Sequence, residues 1–479
     1  MKKALPAFIV ASALLTSQSG LFHQDRAHAE TKISSVKYVT TKQQVSIDGS
    51  FKKVSAINYN GKMLFSLNEI SSGLKISSVY NQKANTMTFS TTAGKNKINL
   101  VINLKTNITM LNNKKVNFVV TSVNNIPFGD VQSFVKMIGK EIIKTENTSD
   151  LFITSSNLLQ GDINDAQFVA GNKLLLKADT DDGAVSYLVN PVTFKVEKTL
   201  PFGVSVVSPN GNKAAFVDED GFINVYDFTT GKTLVNDKSD DPKTGLVWSK
   251  DNSKVYFLKG GNNEIVSVLN LADNSVTDVV TDGVKFKQDL IVLSEAPLKF
   301  AYKVESQFST TTDPNGDYSG QDESKASNEL FSYDTTSADK KAVQLTTAPT
   351  ENKAFATTLA NGDLLYITKN TDDDSAPEKL MLIDHATGAT KQLLVLADNP
   401  ARSITKAANG DILLVIPKKN GDQVVQLTKD WTLKSLFSTS QTINSIEAMN
   451  SNSITFTYGE DGSEKVAYEA NGKVFQITK

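Results

Sequence analysis

Ser208-Pro209-Asn210-Gly211-Asn212-Lys213 runs straight into Ala214-Ala215-Phe216-Val217, and Ser249-Lys250-Asp251-Asn252-Ser253-Lys254 runs into Val255-Tyr256-Phe257-Leu258. A polar turn before a short apolar strand says little by itself; its recurrence says much more. Weaker versions stand at Ser294-Glu295-Ala296-Pro297-Leu298-Lys299 before Phe300, at Ala360-Asn361-Gly362-Asp363 before Leu364, and at Ala408-Asn409-Gly410-Asp411 before Ile412. Asn450-Ser451-Asn452-Ser453 before Ile454 continues the series, and Ala170-Gly171-Asn172-Lys173 before Leu174 opens it. Each is followed by a further strand ending in a second polar turn, as in Val225-Tyr226-Asp227 with Thr230-Gly231 and Leu382-Ile383-Asp384 with Thr387-Gly388.

The unit is therefore four strands joined by turns, repeating every ~40 to 50 residues, the period of a propeller blade. Seven units start near Asp162, Gly203, Thr244, Val284, Asn352, Ala401 and Ile443. Six or eight also fit, because the first and last are the least regular. One such sheet leaves apolar surface on both faces, and stacking the sheets in a ring buries it. The Ser-Pro-Asn-Gly-Asn-Lys and Tyr-Asp-x-x-Thr-Gly turns resemble the TolB-like, WD40-like repeats of exported propellers, with the second and third units matching best. Asp227, Asp334 and Asp384 read as turn residues that bond their own backbone, and Trp248 reads as core.

Upstream of the array the pattern changes. Leu64-Phe65-Ser66-Leu67-Asn68-Glu69-Ile70, continuing to Gly73-Leu74 and Thr86-Met87-Thr88-Phe89, is weakly repeated by Ile126-Pro127-Phe128-Gly129-Asp130-Val131, Ile138-Gly139 and Leu151-Phe152-Ile153-Thr154. Each copy reads as strand, short helix and hairpin, with Gly73 helping to end the first helix. The pattern resembles the stalk family, or copper amine oxidase N-terminal-like domain, of exported Gram-positive bacterial proteins. Pro127 and Asp130 keep its proline and acid; Ser66 and Asn68 replace its proline and arginine in the first copy. The resemblance implies a spacer or docking module and no copper chemistry, which would need several histidines.

Lys2 and Lys3 precede the apolar residues 4–15, and Ala27-His28-Ala29 carries small residues at −3 and −1. This is the form of a secretory signal cleaved after Ala29, and the apolar run falls short of the ~18 to 20 residues of a membrane span. The organisation expected is thus a signal peptide over 1–29, a stalk domain over 30–157 and a propeller over 158–479: a mainly β chain, a small duplicated α+β stalk-like domain followed by a β-propeller of about seven four-stranded blades. With no lipid-bearing cysteine and no second apolar stretch, a secreted or cell-wall-associated protein is expected.

Removing Lys2, Lys3, Arg26 and Asp25 with the signal leaves 47 basic and 51 acidic residues, a balance that attracts neither nucleic acid nor anionic membrane. Arg402 is then the one arginine and His385 the one histidine, and there is no cysteine. That removes disulfides, thiolate chemistry, His-rich metal sites and Ser-His-Asp triads. His385, in a turn-like run, reads as a surface residue. One insert, residues 305–328, breaks the rhythm of the fourth unit. Within it Asp313, Asn315 and Asp317 alternate like the start of a calcium loop, but glycine stands at Gly316 and not at the sixth position; the insert reads first as a mobile loop. The expectation drawn is a non-catalytic extracytoplasmic binding or scaffold protein, not an enzyme and without cofactor, one propeller face engaging an envelope protein, a peptide or a cell-wall polysaccharide. The rival is a propeller-based extracellular hydrolase or lyase using carboxylates, in one version with calcium.

Overall fold

The computed structural model describes residues 38–479 except 238, 306–308, 313–317, 323–327, 349, 371, 372, 374 and 397–399. Asp313, Asn315, Asp317 and the signal segment therefore lie outside the described residues.

Among the described residues seven antiparallel blades follow one another along the chain, six of them four-stranded sheets and the seventh four strands within a five-stranded sheet, each in chain order apart from a hairpin inserted in the fourth. Their innermost strands are Asp162–Val169, Val206–Val207, Lys243–Trp248, Lys287–Glu295, Glu351–Thr358, Ser403–Lys406 and Ile443–Asn450. The molecule is a seven-bladed β-propeller. Side chains alternate between the two faces of each strand, and the apolar sets meet between adjacent blades. Trp248, buried, packs with Ala215, Val225, Val255 and Phe257 between the second and third blades; Tyr256, Phe300 and Tyr302 fill the next interface.

A polar contact accompanies each apolar interface, between residues at or just before the start of one inner strand and residues on or just before the third strand of the blade before it. Three of these contacts are buried lysines. Lys243 Nζ donates to Gly221 O at 2.9 Å, Lys287 Nζ to Glu264 O at 2.7 Å, and Lys353 Nζ to Glu329 Oε1 at 2.8 Å. Elsewhere a backbone N–H does the same work: Val204 to Ser186 Oγ at 3.0 Å, Ala401 to Glu378 Oε2 at 2.8 Å, and Ile443 to Asp422 Oδ2 at 2.7 Å.

The ring closes without exchanging a strand. The first and seventh blades meet through Glu464 N–H on Asp162 Oδ1 at 2.8 Å and Ile163 N–H on Glu464 O at 2.9 Å. Leu159 and Thr478 add a parallel bridge just outside the blades.

The upstream residues form a seven-stranded sheet, a five-stranded sheet and two short helices around one core, in which Phe89 meets Phe134 edge-on with ring centroids 5.1 Å apart. Helices Leu67–Gly73 and Val131–Met137 are capped by Ser66 and Asp130, whose side chains accept from the N–H groups of Glu69 and Ser133. Each helix follows a strand and an N-cap, with Ser66 standing at the position of Asp130 and not of Pro127. Gly73 also does not end its helix by geometry. The left-handed position is Lys75 (φ 56°), equivalent to Gly139 (φ 67°) in the second copy. Gly73 is needed for space, since a Cβ there would stand 2.4 Å from Ile47 Cδ1.

This module is stitched to the ring. Thr145–Glu146 pairs antiparallel with Lys473–Gln476, adding a fifth strand to the seventh blade. Glu146 accepts from Ser440 N–H and Oγ, and Lys473 pairs with Asp150 at 2.8 Å. In the insert, Ser309–Thr312 and Tyr318–Asp322 pair as a hairpin, so these parts are strands where a loop was expected. Among the described residues no helix is long and apolar enough to cross a membrane.

Candidate active site

Inner strands of a propeller are the only ones whose side chains reach the axis, and polar side chains there face each other across a water-filled channel. A cavity of about 260 Å³ opens in this channel against the first, second, sixth and seventh blades, lined among others by Gln167, Asn210, Lys406 and Glu447.

Glu447 stands on the inner strand of the last blade and Asp165 on that of the first. Glu447 is exposed to the channel, and the protein mass around its carboxyl disfavours the charged form. This desolvation, reinforced by the negative charge of Asp165, pushes it up to about 7. Asp165 is also raised, by burial first. Three groups oppose that rise: the Gln167 amide, which donates from Nε2 at 2.6 Å, the Ala166 N–H at 2.8 Å, and the Lys177 charge. Gln167 also donates to Ser205 O at 3.1 Å and accepts from Val207 N–H at 2.8 Å, so the bracket holding Asp165 is tied to the second blade. The negative charge of Asp165 favours the proton on Glu447.

The neighbouring inner strand brings a lysine to the same cavity. Lys406 ends the inner strand of the sixth blade, and its Nζ donates to Thr358 Oγ1 at 3.2 Å. Its pKa is lowered by desolvation first and then by the like charge of Lys250. Lys250 sits in the turn after the third blade's inner strand, where its own N–H donates to Glu295 Oε1 at 2.7 Å.

None of Asp165, Glu447 or Lys406 was singled out by sequence, and Lys250 figured only as a turn residue. No spacing in the chain couples them; ring closure brings them together. The residues that sequence did weigh lie elsewhere. His385 Nδ1 is 2.8 Å from Asp363 Oδ1, which also accepts the His385 N–H at 3.1 Å, a bond that ties two turns of the fifth blade. Asp227 accepts from the N–H groups of Thr229 and Thr230, and Asp384 from those of Ala386 and Thr387. Among the described residues no group of three or more His, Asp or Glu could hold a metal ion.

No model of a known protein family matches the chain, and no curated protein does. Solved structures do. The β-propeller domain of the Trilobed protease from Pyrococcus furiosus is 13% identical, with 68% of this chain and 97% of that one covered and a TM-score of 0.46. The tricorn protease is 12% identical over 89% of this chain and 45% of its own, with a TM-score of 0.45. A puromycin-hydrolyzing peptidase of Mycobacterium tuberculosis is 11% identical over 68% and 57%, with a TM-score of 0.47. The chain thus spans about half the length of the latter two. At such identities the likeness is one of fold.

The expectation of a non-catalytic binding or scaffold protein that is not an enzyme is nevertheless corrected. The structures resembling this propeller are peptidases or a domain of one. The physical reason lies in the inference itself: scarce histidine removes imidazole chemistry and leaves carboxyl chemistry untouched, and the ring assembles a carboxyl pair.

Proposed function

We propose that the chain is a hydrolase that works through carboxyl groups in its propeller channel, with Glu447 as general acid and Asp165 as general base. The observation that carries this is the coupled pair itself: Glu447 lines the channel cavity and is pushed up to about 7, and Asp165 on the adjoining inner strand adds a charge that favours its proton. In the reaction, Glu447 gives its proton to the leaving oxygen as a C–O bond of the substrate breaks. Asp165 takes a proton from the water whose oxygen forms the new bond. One water is consumed, and solvent exchange returns the proton from Asp165 to Glu447.

Export belongs to the same proposal. Lys2, Lys3, the apolar residues 4–15 and Ala27-His28-Ala29 support a signal cleaved after Ala29, which leaves the enzyme outside the cytoplasmic membrane or in the wall. The duplicated strand–cap–helix units support a stalk-like module that spaces or docks the ring, and the turn motifs of the second and third blades support a TolB-like propeller lineage.

The test is hydrolysis of a panel of glycosides and esters by the purified chain, with Glu447→Gln and Asp165→Asn alongside. Turnover lost in both variants, with unchanged circular dichroism, supports the assignment. Turnover undiminished in either variant overturns it.

A further inference from the structure

Six of the ring's seven interfaces lie between blades that follow one another in the chain. The remaining seam joins the two ends of the array, the first blade to the seventh, and no connecting segment spans it. Its apolar filling differs too. Ile163 and Phe194 of the first blade pack there with Val466 and Phe475 of the seventh and with Ile143 and Phe152 of the upstream module. Among the described residues, the apolar clusters between the other blades consist of ring residues alone. Phe152 belongs to the seam cluster and not to the module's own core. Its ring meets Phe475 edge-on with centroids 4.9 Å apart, and Phe475 also meets Phe194 at 6.4 Å. Polar contacts follow the same course. Thr154 Oγ1 donates to Thr193 O of the first blade at 2.8 Å. Gln476 N–H of the seventh blade donates to Lys144 O at 2.9 Å, beside the added strand Thr145–Glu146. Asn147 Nδ2 donates to Ser438 O of the sixth blade at 2.9 Å. The module thus grips the sixth, seventh and first blades at once.

We propose that the upstream module is the clasp of the ring: it seals the seam between the seventh and first blades, and its displacement lets that seam open locally. An interface between chain ends lacks the short connection that holds consecutive blades together, so closing it costs more entropy. The module offsets this with apolar burial across the seam and hydrogen bonds to both sides of it. The seam is flanked by the inner strands Asp162–Val169 and Ile443–Asn450, so the clasp also sets how closely these two channel walls stand. A movement of the module is thereby passed to the channel, although among the described residues none of the module lines the cavity there. This role goes beyond spacing or docking, and it does not depend on the hydrolytic reading.

The experiment is residue-resolved hydrogen exchange on the purified full chain carrying Phe152→Ala with Glu146→Ala. Both side chains reach the ring and lie outside the module's core cluster, so the module should keep its fold. Parent-like exchange over Asn96–Asn103, a strand of the module, checks this. The amides of Ile163 and Glu464 donate across the seam, and their exchange should rise at least about tenfold over the parent. The amides of Val204 and Ala401 donate across two other blade interfaces and should exchange as in the parent. If the double variant does not fold, Glu146→Ala alone should give the same pattern at smaller amplitude. Unchanged exchange at Ile163 and Glu464 in the folded variant overturns the clasp. An equal rise at Val204 and Ala401 also overturns it, because the loss is then general and not seated at the seam. The readout is exchange and not turnover, so this result and the fate of the hydrolase reading are decided separately.

Discussion

Lys287 Nζ and Asp282 Oδ1 lie 2.8 Å apart, and both side chains are essentially sealed from water. Asp282 also accepts from the Tyr302 hydroxyl through its other oxygen and from Val284 N–H at 3.0 Å, while Lys287 reaches Glu264 O and Val284 O. The pair ties the fourth blade to the third. Its ions are costly to bury, and they are tolerated because nearly every donor and acceptor is used. Desolvation still lowers the lysine's pKa despite its partner.

Breaking this pair from one side should cost far more than removing it whole. Lys287→Met leaves Asp282 charged and buried, and urea denaturation should record a loss of roughly 3 to 5 kcal/mol. Adding Asp282→Asn to the same chain should recover much of that loss. A single variant as stable as the parent would show that the latch is dispensable.

Gly211 ends the most regular turn of the array and leans on the blade before it. Its φ is +72°, and a Cβ there would lie 2.4 Å from Ala170 N and 2.9 Å from Val169 C, both backbone atoms that cannot swing aside. Ala170 N–H also donates to Gly211 O at 3.0 Å. Gly211→Ala should therefore cost more than the roughly 1 to 2 kcal/mol of a left-handed alanine alone, read as a lower melting temperature. Because both loops line the channel cavity, it should weaken substrate binding as well.

Glu469 carries a pH signature separate from the proposed chemistry. It is buried in the seventh blade, Oε1 accepts from Gly472 N–H, and Oε2 has no partner. Burial pushes it up to about 7. A carboxyl whose folded pKa exceeds its unfolded value gives its full stability below the unfolded value, near 4.5, and loses it as pH rises through about 7. The parent should lose roughly 3 kcal/mol across that window relative to Glu469→Gln. Parallel stability–pH curves for the two chains would contradict the assignment.

What the sequence disclosed and what it withheld follow from the range of the interactions. Asn210, Gly211, Asp227 and Asp384 act mostly on neighbours a few residues away, so their turns, and with them the strand period, were legible, while the blade number stayed open between six and eight. The inner strand starting at Lys243 begins one residue from its expected place and that at Lys287 three residues away. The latches were not legible, because a lysine opening a strand looks solvated until the preceding blade covers it; the recurrence of Asp237 before Lys243 and Asp282 before Lys287 was the available signal. The hairpin in the insert was foreshadowed by Ser309-Thr310-Thr311-Thr312, rich in β-branched residues. Asp165 and Glu447 had no local signal at all. They belong to opposite ends of the array and become neighbours only when Asp162 meets Glu464 and the ring shuts.

That late encounter makes the acid pair sensitive to its protonation order, which a pH profile reads directly. If Glu447 delivers the proton, kcat/KM should fall as pH rises through about 7, the value to which burial and Asp165 push it. The acidic limb should follow Asp165, whose pKa is itself raised above the ordinary aspartate value. Asp165→Asn removes the charge that helps hold the proton on Glu447, so any residual activity should show its alkaline limb shifted to lower pH. Glu447→Gln should remove that limb together with all but a small fraction of the rate, the usual loss for a general acid being about 10² to 10⁴-fold. An alkaline limb that stays near 7 in Glu447→Gln would assign it to another group and end this mechanism.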